Sequence, residues 1–99
     1  MDKKEAILVA KKYLSGVRDF ITMEKAFLFG SYVHGTQSED SDIDIGIFVN
    51  SINDDYFNTL KKLYKVRRGI DIRIEPHLYI AGNDQSGFAE VVKKAGIPL

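Results

Sequence analysis

No cysteine occurs among the 99 residues, which excludes disulfides, thiolate metal sites and a cysteine nucleophile. That absence suits a reducing cytoplasm, the compartment expected for this chain. Net charge is also missing: Lys and Arg total 14, as do Asp and Glu, so no overall field draws the chain toward nucleic acid or anionic lipid, and any such attraction has to be local. No apolar run approaches the roughly 18 residues of a membrane span. The opening Met1-Asp2-Lys3-Lys4-Glu5 has the early charges of a helix start in place of those of a signal peptide. Neither an internal repeat nor a linker-like stretch divides the sequence, and one domain over residues 1–99 is expected.

What is present is ordinary in amount, 44% apolar and 28% charged residues, the balance of a globular chain. A chain this short buries only about 60–70% of the surface its unfolded form exposes, so a partner covering part of the remainder would stabilise it. From Lys3 to Phe20, Ile7, Leu8, Tyr13, Leu14, Val17 and Phe20 recur near helical spacing, and Asp2 with Glu5 forms a capping-box-like start. Ala26-Phe27-Leu28-Phe29 is a short apolar run ending at Gly30, the pattern of a strand buried on both faces. Residues 30–41 supply a tight turn, room for one helical turn and a polar loop.

Alternation follows, with Ile43, Ile45, Ile47 and Val49 on one face of a strand and Asp42, Asp44, Gly46 and Phe48 on the other. A loop and then a helix are predicted within Ser51–Arg68, with an apolar stripe of Tyr56, Phe57, Leu60, Leu63, Tyr64 and Val66, Asp54 and Asp55 in the first turn, and a stop at Gly69. Ile70 to Glu75 alternates again as a strand, placing Asp71, Arg73 and Glu75 on one face, until Pro76 limits further pairing. Glu75-Pro76-His77 reads as a strand end in water. Asn83-Asp84 opens a last helix through Lys94, closed by Gly96, with Ile97-Pro98-Leu99 as a tail. The expected fold class is α/β (α+β), a small mixed sheet of three to four strands flanked by helices.

Two carboxylates at i and i+2 on a strand point the same way, with Cα atoms about 6–7 Å apart, so they can converge on shared hard cations. Asp42 and Asp44 meet that requirement, and Ile43 and Ile45 fix the register, because a slip of one residue would bury both acids. Upstream, Gly30 and Ser31 directly follow the apolar run. A glycine there lets backbone N–H groups and a serine hydroxyl approach a phosphate closely, and Gly35 permits a second bend. Either feature alone has a plain explanation, since alternating acids mark any half-exposed strand and Gly-Ser marks any turn. Their conjunction points to phosphate and cation chemistry.

Gly30-Ser31-Tyr32-Val33-His34-Gly35, followed by Ser41-Asp42-Ile43-Asp44 entering an apolar strand, resembles the signature of the nucleotidyltransferase superfamily that includes DNA polymerase beta. The similarity is closer still to its smallest members, the minimal nucleotidyltransferases (MNT) paired with HEPN partners. It covers the whole chain in length and element order, and the specific motif spans Gly30 to Asp44. The resemblance implies transfer of a nucleoside monophosphate, AMP from ATP, to an acceptor hydroxyl, with two Mg²⁺ ions, or Mn²⁺ in their place, as cofactors. It implies Asp42 and Asp44 as catalytic and metal-binding residues, with Gly30, Ser31, His34, Gly35 and Ser41 around the nucleotide.

A third carboxylate is implied from a neighbouring strand, in an apolar-Asp-apolar setting that Ile70-Asp71-Ile72 fits, which favours Asp71 as the remaining catalytic and metal residue. Glu75 is its rival, on the same face but roughly 13 Å further along a strand, so just one of them can serve. His34 departs from the family, which commonly has arginine before the second glycine. An imidazole, with a pKa of about 6.5, would hold triphosphate more weakly and in a pH-dependent way.

The resemblance also implies a partner protein, a HEPN-type ribonuclease toxin, with this chain as its antitoxin and with the partner as the route to any nucleic acid; no membrane partner is expected. Two other readings stay open. The chain could mask its partner without catalysis, or it could add nucleotides to RNA, using Lys61, Lys62, Lys65, Arg67 and Arg68 as a basic patch. A basic last turn is, however, also what the helix dipole favours.

Overall fold

Ile43, Ile45 and Ile47 are fully buried, and the strand that carries them lies inside the sheet on which the chain is built. The computed structural model describes residues 1–38, 40–83 and 87–99. Along them run α1 (Lys3–Val17), β1 (Lys25–Phe29), α2 (Ser31–His34), β2 (Ile43–Val49), α3 (Tyr56–Arg67), β3 (Ile74–Ile80), α4 (Phe88–Ala95) and β4 (Ile97–Pro98). The strand order is β3-β2-β1-β4. β2 pairs antiparallel with β1, from Lys25↔Phe48 to Phe29↔Asp44, and parallel with β3, from Ile43↔Ile74 to Val49↔Ile80. β4 adds to the far side of β1, also antiparallel. This is the mixed sheet flanked by helices that the sequence leads one to expect.

Side chains along each strand alternate between the two faces, and the two faces are covered differently. On one, Leu28, Ile43, Ile45, Ile47, Ile74 and Leu78 join Ala6, Ala10, Tyr13, Leu14 and Val17 of α1 and Leu63 of α3 in the main core. On the other, Phe27 and Phe48 meet Ala89 and Val92 of α4. Phe27 and Phe48 meet edge to face with ring centres 5.5 Å apart, and Phe48 stacks on Tyr79 at 4.9 Å. Gly46 lies beneath α4, where an added Cβ would stand 3.0 Å from Val92 Cγ1. The next residue on that face toward the start of β2 is Asp44, which is only partly buried.

Helix starts follow the capping residues. Asp2 accepts a hydrogen bond from the Glu5 N–H at 2.8 Å, and Asp55 accepts one from the Asn58 N–H at 2.8 Å. Asp55 is therefore the cap of α3, with Asp54 before it, and neither lies within the first turn as expected. Burial is narrower than the apolar stripes suggested. α1 buries Ala6 and Ala10 where Leu8 is 64% exposed, and α3 buries Thr59 and Leu63 where Phe57 is 74% exposed.

The third strand is displaced from its expected position. The N–H groups of Ile70 and Asp71 both bond to the Arg67 carbonyl, at 3.0 and 2.8 Å, so residues 70–73 close off α3 as turns. Ladder pairing begins at Ile74 and runs through Pro76 to Ile80. Proline does not stop it because, among the described residues, β3 is an edge strand with β2 as its neighbour. α4 begins at Phe88, after Gly87; Asp84, expected near its start, lies outside the described residues. The expected tail is β4, and the Leu99 N–H bonds to the Ala26 carbonyl at 2.9 Å.

The Tyr13 hydroxyl donates to the Leu63 carbonyl at 2.8 Å inside the core, tying α1 to α3. Burial pushes its phenol far above the ordinary tyrosine range, so it stays a neutral donor. Tyr13→Phe removes this buried bond and should lower the unfolding free energy by about 1 kcal/mol in urea denaturation, with an unchanged m-value.

Candidate active site

β1 ends at Phe29, which is paired with Asp44. The chain turns away at once through Gly30, whose φ is +81°, a conformation that strains any residue with a Cβ. Such a Cβ would also collide with Asp44 Oδ2. Glycine is thus required twice, by backbone angle and by the carboxylate behind it. α2 follows, with the Val33 and His34 N–H groups both bonded to the Gly30 carbonyl at 3.0 and 3.2 Å, and it ends at Gly35 with φ +72°. Ser31 and the opening N–H groups of α2 directly follow Gly30, the residue that lies against Asp44. Ser41 Oγ closes the following loop by accepting the Ser38 N–H at 2.8 Å. His34 is exposed and, with Phe29, Gly30, Val33, Phe88 and Val91, lines an open hollow of about 190 Å³.

Asp42 lies exposed just before β2, and the parallel register sets Glu75 directly across from Asp44. A hydrogen bond with Asp42, then burial, then the charge of Asp42 push the Glu75 carboxyl above its ordinary range, against an opposite pull from His77, and Asp44 adds the smallest push. His77 Nε2–H donates to Asp44 Oδ1 at 3.1 Å, since an ionised carboxylate can only accept. Its ring lies edge-on to Phe29 with centres 4.9 Å apart.

Asp71 is not part of this cluster. It sits in the turn before β3, where its Oδ1 accepts from the Arg73 N–H at 2.9 Å and from Nε at 3.0 Å, and its Oδ2 accepts from Nη2 at 2.7 Å. The Arg73 guanidinium holds the Asp71 carboxyl below the ordinary range. Ile72, beside it in the turn, is 73% exposed. Asp42 and Asp44 are thus brought together with Glu75, and Asp71 is held apart as the brace of a turn. Pro76 and His77, expected in water, are inside β3, with Pro76 buried. The missed signal is the phase of Ile74, Pro76, Leu78 and Ile80, which continues the inward alternation past the proline and leaves Glu75, His77 and Tyr79 on the acid side.

The basic residues of α3 lie on the opposite face of the sheet from the carboxyl groups, because α3 packs into the core on that side through Leu63. Lys62 pairs with Asp54 at 3.7 Å, Arg67 donates to the Ile74 carbonyl at 2.9 Å, and the Arg67 guanidinium rests over the Tyr64 ring at 4.6 Å. The sheet separates this patch from the acids.

A set of carboxylate oxygens suits a hard divalent cation, and the crowding that raises Glu75 is of the kind that positive charge relieves. The donors fit such an ion chemically. As the side chains stand, no three acids or histidines among the described residues converge on one point, and one Asp44 oxygen is engaged by His77. No helix among the described residues is long and apolar enough to cross a membrane.

Comparison with known proteins gives the family and the fold. The family model described as polymerase beta, nucleotidyltransferase, matches residues 11–98. The chain is similar to the crystal structure of a toxin–antitoxin with AMP-PNP, with a TM-score of 0.69 and 26% identity over 89% of this chain and 69% of that one. Its fold is also similar to that of a mutant toxin–antitoxin MntA–HpeT, with a TM-score of 0.56 and 19% identity over 99% of this chain and 72% of that one. Among curated proteins no match is found. The chain belongs to the polymerase beta nucleotidyltransferase family.

Because the Asp71 carboxyl is depressed in the folded state, its stabilising effect is complete above the ordinary carboxylate pKa and is lost as pH falls through the depressed value. Asp71→Asn should therefore cost about 0.5–1 kcal/mol at pH 7, a figure that allows for solvent screening of Arg73. The difference between variant and parent should shrink in urea melts carried down through the acid range.

Proposed function

We propose that this chain transfers AMP from ATP to a hydroxyl of a partner protein, and that it is the antitoxin of a HEPN-type ribonuclease toxin. The observation that carries the chemistry is the register of β2 with β1 and β3, which sets Glu75 across from Asp44 and Asp44 against Gly30, with Asp42 just before β2. Family membership supports nucleotidyl transfer. The AMP-PNP in one similar structure supports ATP as donor, and the toxin–antitoxin character of both similar structures supports the partner.

Asp42, Asp44 and Glu75 would hold the divalent cations, two Mg²⁺ or Mn²⁺. Cations of this kind, when bound, neutralise phosphate charge and stabilise the attacking and departing oxygens of an in-line displacement. The residues of the chain do the rest. Gly30 leaves room for phosphate at the backbone, and Ser31 with the N–H groups opening α2 would donate to the β- and γ-phosphate oxygens. Gly35 ends α2 so that the loop to Ser41 can return to β2. His34 and Ser41 flank the nucleotide. In the overall change, the acceptor hydroxyl oxygen forms a bond to the α-phosphorus as the bond from the α-phosphorus to the α–β bridging oxygen breaks; the hydroxyl proton passes to water and pyrophosphate departs.

The test is incubation of the protein with α-labelled ATP, Mg²⁺ and lysate of its source, followed by identification of whatever becomes labelled. Labelling of a small partner protein is expected. Asp44→Asn and Glu75→Gln should each reduce transfer about 100-fold or more, the range seen when electrostatic stabilisation of a transition state is removed. Asp71→Asn should stay within a few-fold of the parent, and Gly30→Val should lose nucleotide binding. A parent-like Glu75→Gln together with an inert Asp71→Asn would return the third ligand to Asp71. No labelled acceptor under any condition would leave partner masking without catalysis.

A further inference from the structure

We infer that His77 is a positioning residue: it holds the Asp44 carboxylate so that one oxygen is reserved for the Gly30 side of the site. The inference rests on the metal-dependent reading above. It comes from the separate surroundings of the two Asp44 oxygens. Oδ1 accepts from His77 Nε2 at 3.1 Å, while Oδ2 lies against the α-carbon of Gly30, so close that a Cβ there would collide with it. A carboxylate held at one oxygen cannot spin about its terminal bond, and the other oxygen is thereby aimed at the turn that would carry the phosphates.

His77 is itself held from two sides. The β2–β3 register places it across from Gly46, the glycine on which α4 closes, and its ring lies edge-on to Phe29 at 4.9 Å. Phe29 is paired with Asp44 and precedes Gly30. One aromatic residue thus adjoins the imidazole, the acid it orients and the turn toward which that acid is aimed. Hydrogen-bond partners of metal-binding carboxylates fix their orientation, and losing such a partner typically lowers metal affinity or activity about 10–100-fold. Asp44 has His77.

Two substitutions separate orientation from packing. His77→Phe keeps a ring against Phe29 and loses the donor; His77→Gln loses the ring and keeps an N–H of similar reach. Mn²⁺ binding followed by its paramagnetic resonance signal, alone and with a nonhydrolysable ATP analogue, provides the readout, with thermal melts of each variant alongside. His77→Phe should bind Mn²⁺ about 10–100-fold more weakly than the parent while melting near it, and His77→Gln should recover most of the affinity. In transfer assays the loss in His77→Phe should fall mainly on kcat, with the nucleotide KM changed less. Parent-like Mn²⁺ affinity in His77→Phe, or a His77→Gln as weak as His77→Phe, would overturn the inference and leave the proposed reaction standing. A parent that binds no Mn²⁺ even with the analogue would instead remove the metal site, and this role for His77 with it.

Discussion

The Asp44 carboxylate lies against the α-carbon of Gly30, and that approach is the constraint from which the rest of the site follows. It joins a turn to a strand that are 14 residues apart in sequence by the numbers of Gly30 and Asp44, with no side chain between them. Antiparallel pairing of Phe29 with Asp44 sets the separation, and the positive φ of Gly30 swings the chain off the sheet at that point. A phosphate held by the turn would then stand beside a cation held by the acid, without either element having to move. The arrangement depends on register. A slip of one residue between β1 and β2 would turn Asp44 into the core and bring Ile43 or Ile45 to the open face.

The two faces of the sheet explain why the opening is where it is. α1 and α3 cover one face with a continuous apolar core, which fixes the strands. α4 covers the other only in part, settling on Phe27, Phe48 and Gly46. Beyond Gly46 the same face carries Asp44, with Glu75 and His77 from the neighbouring strand. Stability and chemistry are thus assigned to opposite sides of one layer. The acids can crowd together because the strands holding them are anchored from behind by fully buried Ile43, Ile45 and Ile74.

Much of this was legible in the sequence, and the legible part has a physical reason. The alternation of Ile43, Asp44, Ile45 and Gly46 can satisfy a buried core in only one register, so the facing of Asp44 was determined locally. Gly30 and Gly35 were legible because both adopt positive φ. The start of β3 was not. Ile70-Asp71-Ile72-Arg73 has the pattern of a strand, but Asp71 bonds the backbone and side chain of Arg73 and the Arg67 carbonyl collects two N–H groups, so local turn hydrogen bonds win. Pro76 misled in the opposite direction, because its tolerance depends on β3 being an edge strand, a fact of topology that no local window contains. The second partner of Asp44, His77, was hidden for the same reason.

Asp71 and Glu75, four residues apart, show how environment divides one chemistry into two uses. Arg73 satisfies Asp71 on both oxygens and lowers its proton affinity, so its folded-state contribution is present above the ordinary carboxylate pKa and lost as pH falls. Glu75 faces Asp42 and Asp44 and its proton affinity is raised, so folding favours its protonated form and that contribution is lost as pH rises through the raised value. At neutral pH the first acid therefore supports the fold and the second works against it. A carboxylate that costs stability where it stands is consistent with a site built around a charge that the chain does not itself supply.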